Sequence, residues 1–159
     1  MNRPQPYRIG VIGAAECFQD IGQVAEEVGR LVAGRGAILV CGGLGGVMEA
    51  AARGAKGIGG TTVGILPGID ARQANPYIDI PVITGMGEAR NVIIVRTADA
   101  VIAVAGGPGT LSEIAFCLKL GVPVVGLHTW NVDPSMFRAE SAAEAVEVAF
   151  RLIEKKQAH

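Results

Sequence analysis

Charged and aromatic residues are both scarce in this sequence of 159 residues. Asp, Glu, Lys and Arg make up 18% of the chain, Phe, Trp and Tyr only 4%, and the formal net charge is −1. Binding to duplex nucleic acid or to an anionic membrane requires a broad basic surface, which this composition does not provide. We therefore expect no nucleic acid and no membrane as a partner, and a small-molecule ligand instead.

Cysteine is scarce as well, and its spacing matches no common motif. Cys17, Cys41 and Cys117 are odd in number, lie far apart and form no Cys-x-x-Cys pair. We therefore expect reduced thiols and no metal site. The first residues are polar and proline-rich, and no apolar run approaches the length of a membrane span. These features predict a cytoplasmic protein.

Aliphatic residues and glycine are abundant by contrast, at 50% hydrophobic residues and 23 glycines. Apolar, β-branched runs alternate with longer amphipathic stretches, which is the order expected of a parallel sheet with helical crossovers. The length fits a single domain over residues 1–159. The pattern predicts a three-layer α/β fold with a mostly parallel, doubly wound sheet of six or seven strands.

The apolar runs place six of these strands individually. They are residues 8–13, 37–41, 61–66, 80–84, 100–104 and 122–127. Helices are predicted at residues 19–33, 45–57, 88–98, 110–120 and 142–156. Most of the strands are continuously apolar, as burial on both faces requires.

Two double-glycine turns each follow a predicted strand and precede a predicted helix. The first is Gly-Gly-Leu-Gly-Gly-Val-Met at residues 42–48, and the second is Gly-Gly-Pro-Gly-Thr-Leu-Ser-Glu at residues 106–113. Glycine permits a sharp turn and a close approach of ligand to backbone, while the amino end of a helix presents free N–H groups and a positive dipole. This combination binds phosphate. Because the carboxyl ends of parallel strands meet at one edge of a sheet, the two turns predict one phosphate pocket.

Neither turn is a standard nucleotide-binding fingerprint. No Lys-Ser or Lys-Thr follows Gly46 or Gly109, so the Walker pattern is absent. Neither turn reads Gly-x-Gly-x-x-Gly, and the second strand ends in Cys41 where an NAD site has an acidic residue. None of the four lysines lies at a predicted strand carboxyl end, so the sequence does not indicate a Schiff-base lysine.

Together with Arg90, the two turns resemble the LOG-like family, whose members are often labelled possible lysine decarboxylases. The family motif Pro-Gly-Gly-x-Gly-Thr-x-x-Glu corresponds to residues 105–113, and the resemblance spans nearly the whole chain. It implies a Rossmann-like fold and a homodimer or higher homo-oligomer. The family includes cytokinin-activating phosphoribohydrolases, which release a free base and ribose 5-phosphate from nucleoside 5′-monophosphates. Lysine decarboxylation is not implied.

The resemblance also assigns site residues, with the phosphate on the second turn and Arg90 paired with ligand charge. In a hydrolase, Arg90 and Glu113 would be catalytic, since a carboxylate can stabilise positive charge on the sugar or orient water. No metal or other cofactor is required, and a molybdopterin-type or nucleotide ligand is expected instead. The candidate ligand-binding residues are Gly42, Gly43, Gly45, Gly46, Met48, Arg90, Asn91, Gly106, Gly107, Gly109, Thr110 and Glu113.

Three positions differ from the hydrolases: Ala105 replaces a proline, Asn91 a lysine and Glu49 a glycine. The Ala-Arg-Asn sequence at residues 89–91 and the Gly-Thr-Leu-Ser-Glu turn instead resemble the molybdenum cofactor carrier branch. Such carriers hold a phosphorylated pterin without transforming it. We therefore expect a binding or carrier protein for a phosphorylated nucleotide-like or pterin-like ligand, with a nucleoside 5′-monophosphate phosphoribohydrolase as the alternative.

Several of these residues keep a second interpretation. Residues 110–113 also match a helix capping box, so Glu113 could cap a helix, contact ligand or do both. Arg90 is interpreted as a pocket residue and not a solvated charge, because arginine suits bidentate phosphate binding. Asn91 could contact ligand or cap locally, and Glu49 could contact a ribose or metal or simply favour the helix dipole. A nucleotide-sensing regulatory module is a third candidate function.

Overall fold

The structure is a computed structural model that describes residues 4–159. Within these residues, seven strands form one parallel sheet in the order β4-β3-β2-β1-β5-β6-β7. The strands are β1 (Arg8–Gly13), β2 (Ile38–Cys41), β3 (Thr62–Leu66), β4 (Ile80–Ile83), β5 (Ala100–Val104), β6 (Val124–Leu127) and β7 (Phe137–Ala139). The predicted parallel α/β fold is confirmed.

Helices cover both faces of this sheet. They are α1 (Gln19–Gly34), α2 (Val47–Gly57), α3 (Asn91–Thr97), α4 (Pro108–Leu120) and α5 (Ala142–Gln157). The buried side chains divide into two clusters, one between the sheet and α1, α2 and α5, and the other between the sheet and α3 and α4. The sheet is therefore the middle of three layers, as predicted. Among the helices described, none is long and apolar enough to cross a membrane.

The predicted elements match the structure best where burial is complete. The six predicted strands agree with β1 to β6 within two residues at each end, and all of β5 is buried. Strand β7 was not placed by its sequence, because it has three residues and the first two are exposed. The predicted helix at residues 88–98 is divided into a 3-10 turn, Gly87–Arg90, and α3.

The boundary between β1 and β5 positions the candidate site. The chain leaves β1 for α1 on one face of the sheet and leaves β5 for α4 on the other. In open α/β sheets, ligands bind in the crevice that such a change of direction opens at the carboxyl ends of the strands. The turn at 42–46 follows the neighbouring strand β2 and the turn at 105–107 follows β5, so both double-glycine turns border this crevice.

Candidate ligand-binding site

The turn after β5 ends in an open helix terminus. Helix α4 begins at Pro108 and its N-cap is Gly107, so no side chain of the described residues caps it. Ala105 has φ 49° and Gly106 has φ 112°. Glycine is required at 106 because a Cβ there would lie 2.3 Å from Thr110 Oγ1. The uncapped first turn leaves N–H groups and the positive dipole end available to an anion.

The glycines of the two turns differ in what surrounds them. A Cβ at Gly107 or Gly109 would meet no heavy atom within 4 Å, so space above the second turn is open. In the first turn, a Cβ at Gly46 would lie 2.2 Å from the Ala14 carbonyl oxygen, and Val47 N donates to that same oxygen at 2.9 Å. The first turn therefore packs against the loop after β1, while the second presents bare backbone.

Arg90 makes hydrogen bonds to the first turn and to the residue that follows it in the chain. It ends the 3-10 turn that follows β4, and only 8% of it is exposed. Its Nη2 donates to the Gly42 carbonyl oxygen at 3.4 Å, and its Nη1 donates to Asn91 Oδ1. Gly42 is close to the ends of two side chains, since a Cβ there would lie 2.6 Å from Met48 Sδ and 2.7 Å from Arg90 Nη2, and a larger residue would displace them. The sequence-predicted residues Gly42, Met48, Arg90 and Asn91 thus form one contact group.

The Nε of Arg90 is buried and has no hydrogen-bond partner among the described residues. Burial lowers the pKa of Arg90, and the charges of Glu113 and other acidic groups oppose this shift. A buried N–H without an acceptor costs free energy, and native structures rarely keep one unless a ligand, ion or water supplies the acceptor. Arg90 is therefore a cation with unused hydrogen-bonding capacity.

Glu113 lies in the second turn of α4, which starts at Pro108, and is 6% exposed. Burial raises the pKa of its carboxyl to about 7, while the positive charge of Arg90 acts in the opposite direction. The capping-box interpretation of residues 110–113 is wrong, because α4 starts at Pro108 and Thr110 already lies inside its first turn. A true cap occurs at Ser141, whose Oγ accepts from Glu144 N at 3.1 Å. Glu113 is thus a buried acid that plays no part in capping.

The structure adds residues that the sequence did not single out as site residues. Asn91 Nδ2 donates to Ser112 Oγ at 3.4 Å, and Ser112 Oγ donates to the Gly109 carbonyl oxygen at 2.6 Å. Trp130 Nε1 donates to the Gly107 carbonyl oxygen at 3.1 Å. These bonds attach the second turn to α3 and to the segment after β6. In the sequence, Trp130 lies close to the end of the sixth predicted strand, which suggests a position near the site. This position alone could not predict its hydrogen bond to Gly107.

The thiol of Cys41 is buried beside the first turn. Gly43 N donates to Cys41 Sγ at 3.4 Å, and burial raises the pKa of the thiol to about 11. The thiol is therefore protonated near neutral pH and is a packing group there. Among residues 4–159, no three His, Cys, Asp or Glu side chains are grouped so that they could hold a metal ion.

A family model described as the SLOG cluster4 family matches residues 6–157. The chain belongs to the SLOG cluster4 family. A relative from Archaeoglobus fulgidus is 50% identical over 139 residues, which cover 87% of this chain and 91% of that protein. A cytokinin riboside 5′-monophosphate phosphoribohydrolase of Mycobacterium tuberculosis is 37% identical over 105 residues, which cover 64% of this chain and 56% of that protein.

Solved structures extend these relationships. The molybdenum cofactor binding protein of the phototrophic bacterium Rippkaea orientalis superposes with a TM-score of 0.89 at 35% identity, covering 94% of this chain and 98% of that one. The Moco carrier protein of Chlamydomonas reinhardtii superposes with a TM-score of 0.85 at 36% identity, covering 95% and 99%. The resemblance to the LOG-like family, closest to its molybdenum cofactor carrier-like branch, is confirmed.

The pKa of Glu113 predicts how stability depends on pH. In the folded protein the carboxyl keeps its proton up to about pH 7, whereas its ordinary pKa is 4.5. Between these values the folded state binds more protons, so the free energy of unfolding should fall as pH rises, by roughly 3 kcal/mol in total. Glu113→Gln should remove this fall in the free energy of unfolding, which chemical denaturation measures at several pH values between 4.5 and about 7. Glu154→Gln, an exposed acid on α5, should keep it; a Glu113→Gln profile identical to the wild type would contradict the assignment.

Proposed function

We propose that this protein binds and carries a phosphorylated pterin-like or nucleotide-like ligand without transforming it. The observation that carries the proposal is Arg90, a buried cation whose Nε has no acceptor among the described residues. The amino end of α4, which no side chain within residues 4–159 caps, supplies the second part of the site. A phosphate at the amino end of α4 would accept from the free N–H groups and complement the charge of Arg90. The molybdenum cofactor binding protein of Rippkaea orientalis and the Moco carrier protein of Chlamydomonas reinhardtii support a ligand of the pterin type.

In this proposal the predicted site residues have separate tasks. Gly107 and Gly109 let the phosphate approach the backbone, since nothing occupies the space above them. Thr110 is 3% exposed and packs beneath Gly106, so it stabilises the turn from inside. Asn91 orients the guanidinium of Arg90 through its Oδ1. The Gly42 carbonyl oxygen of the first turn accepts from the other nitrogen, Nη2, of this guanidinium.

Hydrolysis of nucleoside 5′-monophosphates is the alternative, and the mycobacterial relative is the observation that favours it. Two features of this chain oppose it. Ala105 has φ 49°, a conformation closed to proline, whose ring holds φ near −65°, so the proline of the hydrolase motif does not fit this turn. In addition, a carboxyl with a pKa of about 7 is partly protonated at neutral pH and stabilises positive charge on a sugar less well.

Removal of the arginine tests the phosphate site directly. Arg90→Ala should weaken binding of ribose 5-phosphate at least about tenfold, because it deletes a charge-assisted contact. Isothermal titration measures the dissociation constant, and thermal unfolding verifies that the variant is folded. Arg90→Lys should recover only part of the affinity, since lysine lacks the planar fork. Arg96→Ala, an exposed arginine on α3, is the matched control. Equal affinity in Arg90→Ala would exclude Arg90 from the site.

Incubation with AMP separates the carrier from the hydrolase. A carrier should release no adenine when the mixture is followed by chromatography over many equivalents of substrate. Release of adenine and ribose 5-phosphate in multiple turnovers, abolished in Glu113→Gln, would establish the hydrolase instead. Because glutamine and glutamate have nearly the same volume, this variant removes the charge with little change in packing.

We further propose that two copies of the chain associate through the face that carries α3 and α4. On this face, Ile80 and Val82 of β4 are exposed beside Val63 and Ile65 of β3. Contiguous apolar surface of this kind marks association sites in globular proteins. Pro81 lacks an N–H donor and so opposes pairing along the strand edge. Packing of side chains across the face is therefore the favoured mode.

A charge on that face should separate the copies. Ile80→Glu should shift the wild-type dimer to monomer in size-exclusion chromatography with light scattering, because it places a carboxylate in an apolar contact. Ile58→Glu is the matched control, since both isoleucines are 50% exposed and Ile58 follows α2 on the opposite face. A monomeric wild type, or a dimer that survives Ile80→Glu, would contradict this assembly.

A further inference from the structure

A groove of about 410 Å³ lies between the amino ends of α1 and α2, on the opposite face of the sheet from α4. Apart from Gly46, it contains none of the residues discussed for phosphate binding. Its walls include Phe18, Gln19, Gln23, Gly46, Glu49 and Arg53. The groove opens at the same edge of the sheet as the two double-glycine turns, because both helices start there.

The groove exists because the two helices touch farther along and separate towards their amino ends. A Cβ at Gly29 would lie 1.9 Å from the Ala51 carbonyl oxygen, and a Cβ at Gly54 would lie 1.9 Å from the Glu26 carbonyl oxygen. The backbones are therefore in direct contact at these points. Closer to the sheet edge, Gly22 leaves space unfilled, since a Cβ there would meet only Cys17 Sγ, at 3.8 Å.

Phe18 forms one side of the groove and is 85% exposed. It is the N-cap residue of α1 and provides no side-chain cap. An aromatic ring left in water forgoes its hydrophobic stabilisation, and its face is suited to stacking on another planar ring. The position of Phe18 at the mouth of a groove makes such stacking available to a bound ligand.

Glu49 provides the complementary polar group on the other wall. It lies in the first turn of α2, is half-buried, and makes no hydrogen bond or ion pair with any of the described residues. Glu26, also in the groove, is by contrast paired with Arg53 at 3.0 Å. A free carboxylate can accept two parallel N–H bonds, so it matches a ligand edge that presents two neighbouring donors.

We propose that this groove binds a planar heterocycle with a ring N–H beside an exocyclic amino group, as in the 2-amino-4-oxopyrimidine ring shared by pterins and guanine. Phe18 stacks on the ring, and the Glu49 carboxylate accepts from both donors. Adenine and hypoxanthine lack this pair of donors on one edge, so the groove discriminates against them. Glu49 and Phe18 are then specificity residues.

Strand β1 ends between the elements that carry the two double-glycine turns. A Cβ at Gly13 would lie 2.4 Å from the Val104 carbonyl oxygen and 2.6 Å from Val47 Cγ1, so the end of β1 touches the elements that carry both turns. This inference deepens the proposed function and rests on it, since the phosphate of the same ligand would lie at α4. Ligands without phosphate nevertheless test the groove by itself.

The experiment is a titration with pterin and with guanosine, neither of which carries phosphate, with inosine as the analogue that lacks the amino group. Pterin fluorescence should be quenched on binding, and Glu49→Gln should weaken pterin about tenfold, because an amide accepts only one of the two donors. Phe18→Leu should weaken both pterin and guanosine. Asp20→Asn, an acid in the first turn of α1 outside the groove, is the matched control and should bind like the wild type.

Three results would overturn the proposal: no binding of either pterin or guanosine, equal affinity for guanosine and inosine, or an unchanged affinity in Glu49→Gln. Preference for pterin or for guanosine over inosine supports it, and the tighter of the two identifies the source of the ring. Ribose 5-phosphate, measured in parallel, should bind equally to wild type and Glu49→Gln. If the wild type does not bind ribose 5-phosphate, the phosphate site at α4 is contradicted. Failure of the groove and failure of the phosphate site are therefore distinguishable.

Discussion

The burial of the Arg90 guanidinium is the constraint on which the rest of the site depends. A charge removed from water requires acceptors, and this one finds them in a carbonyl of the first turn and in the neighbouring Asn91. A side chain at position 42 would displace it, because a Cβ there would lie 2.7 Å from Arg90 Nη2. The charge of Arg90 also opposes the effect of burial on the pKa of Glu113, which lies on a different helix. One side chain thereby links the packing of the first turn to the electrostatics around Glu113.

The two double-glycine turns have similar sequences but different surroundings. Glycines of the first turn allow backbones and the guanidinium to approach closely, which is a requirement of packing. The second turn keeps open space above Gly107 and Gly109, and its helix starts without a side-chain cap. In the proposed site, the first turn holds the guanidinium of Arg90, and the second turn offers free backbone to the phosphate.

The elements that sequence predicts well are those whose pattern records burial. Strand β5 is buried at every position, and its continuous apolar run identified its bounds. Strand β7 could not be placed, since an exposed three-residue strand leaves no pattern. The start of α4 was predicted too late because Thr110 resembles a cap, whereas Pro108 is well suited to the first helical position. The candidate residues around Arg90 were identified, but their contacts were not.

The sequence by itself determined the fold class, the order of the elements and the family resemblance, because these depend on local periodicity and on short motifs. Only the tertiary structure decided which glycines pack and which stay open, that Glu113 does not cap a helix, and that Arg90 has a donor without a partner among residues 4–159. The physical reason is desolvation. Gly42, Arg90 and Glu113 lie far apart along the chain, and their energies depend on neighbours that only the folded sheet brings together.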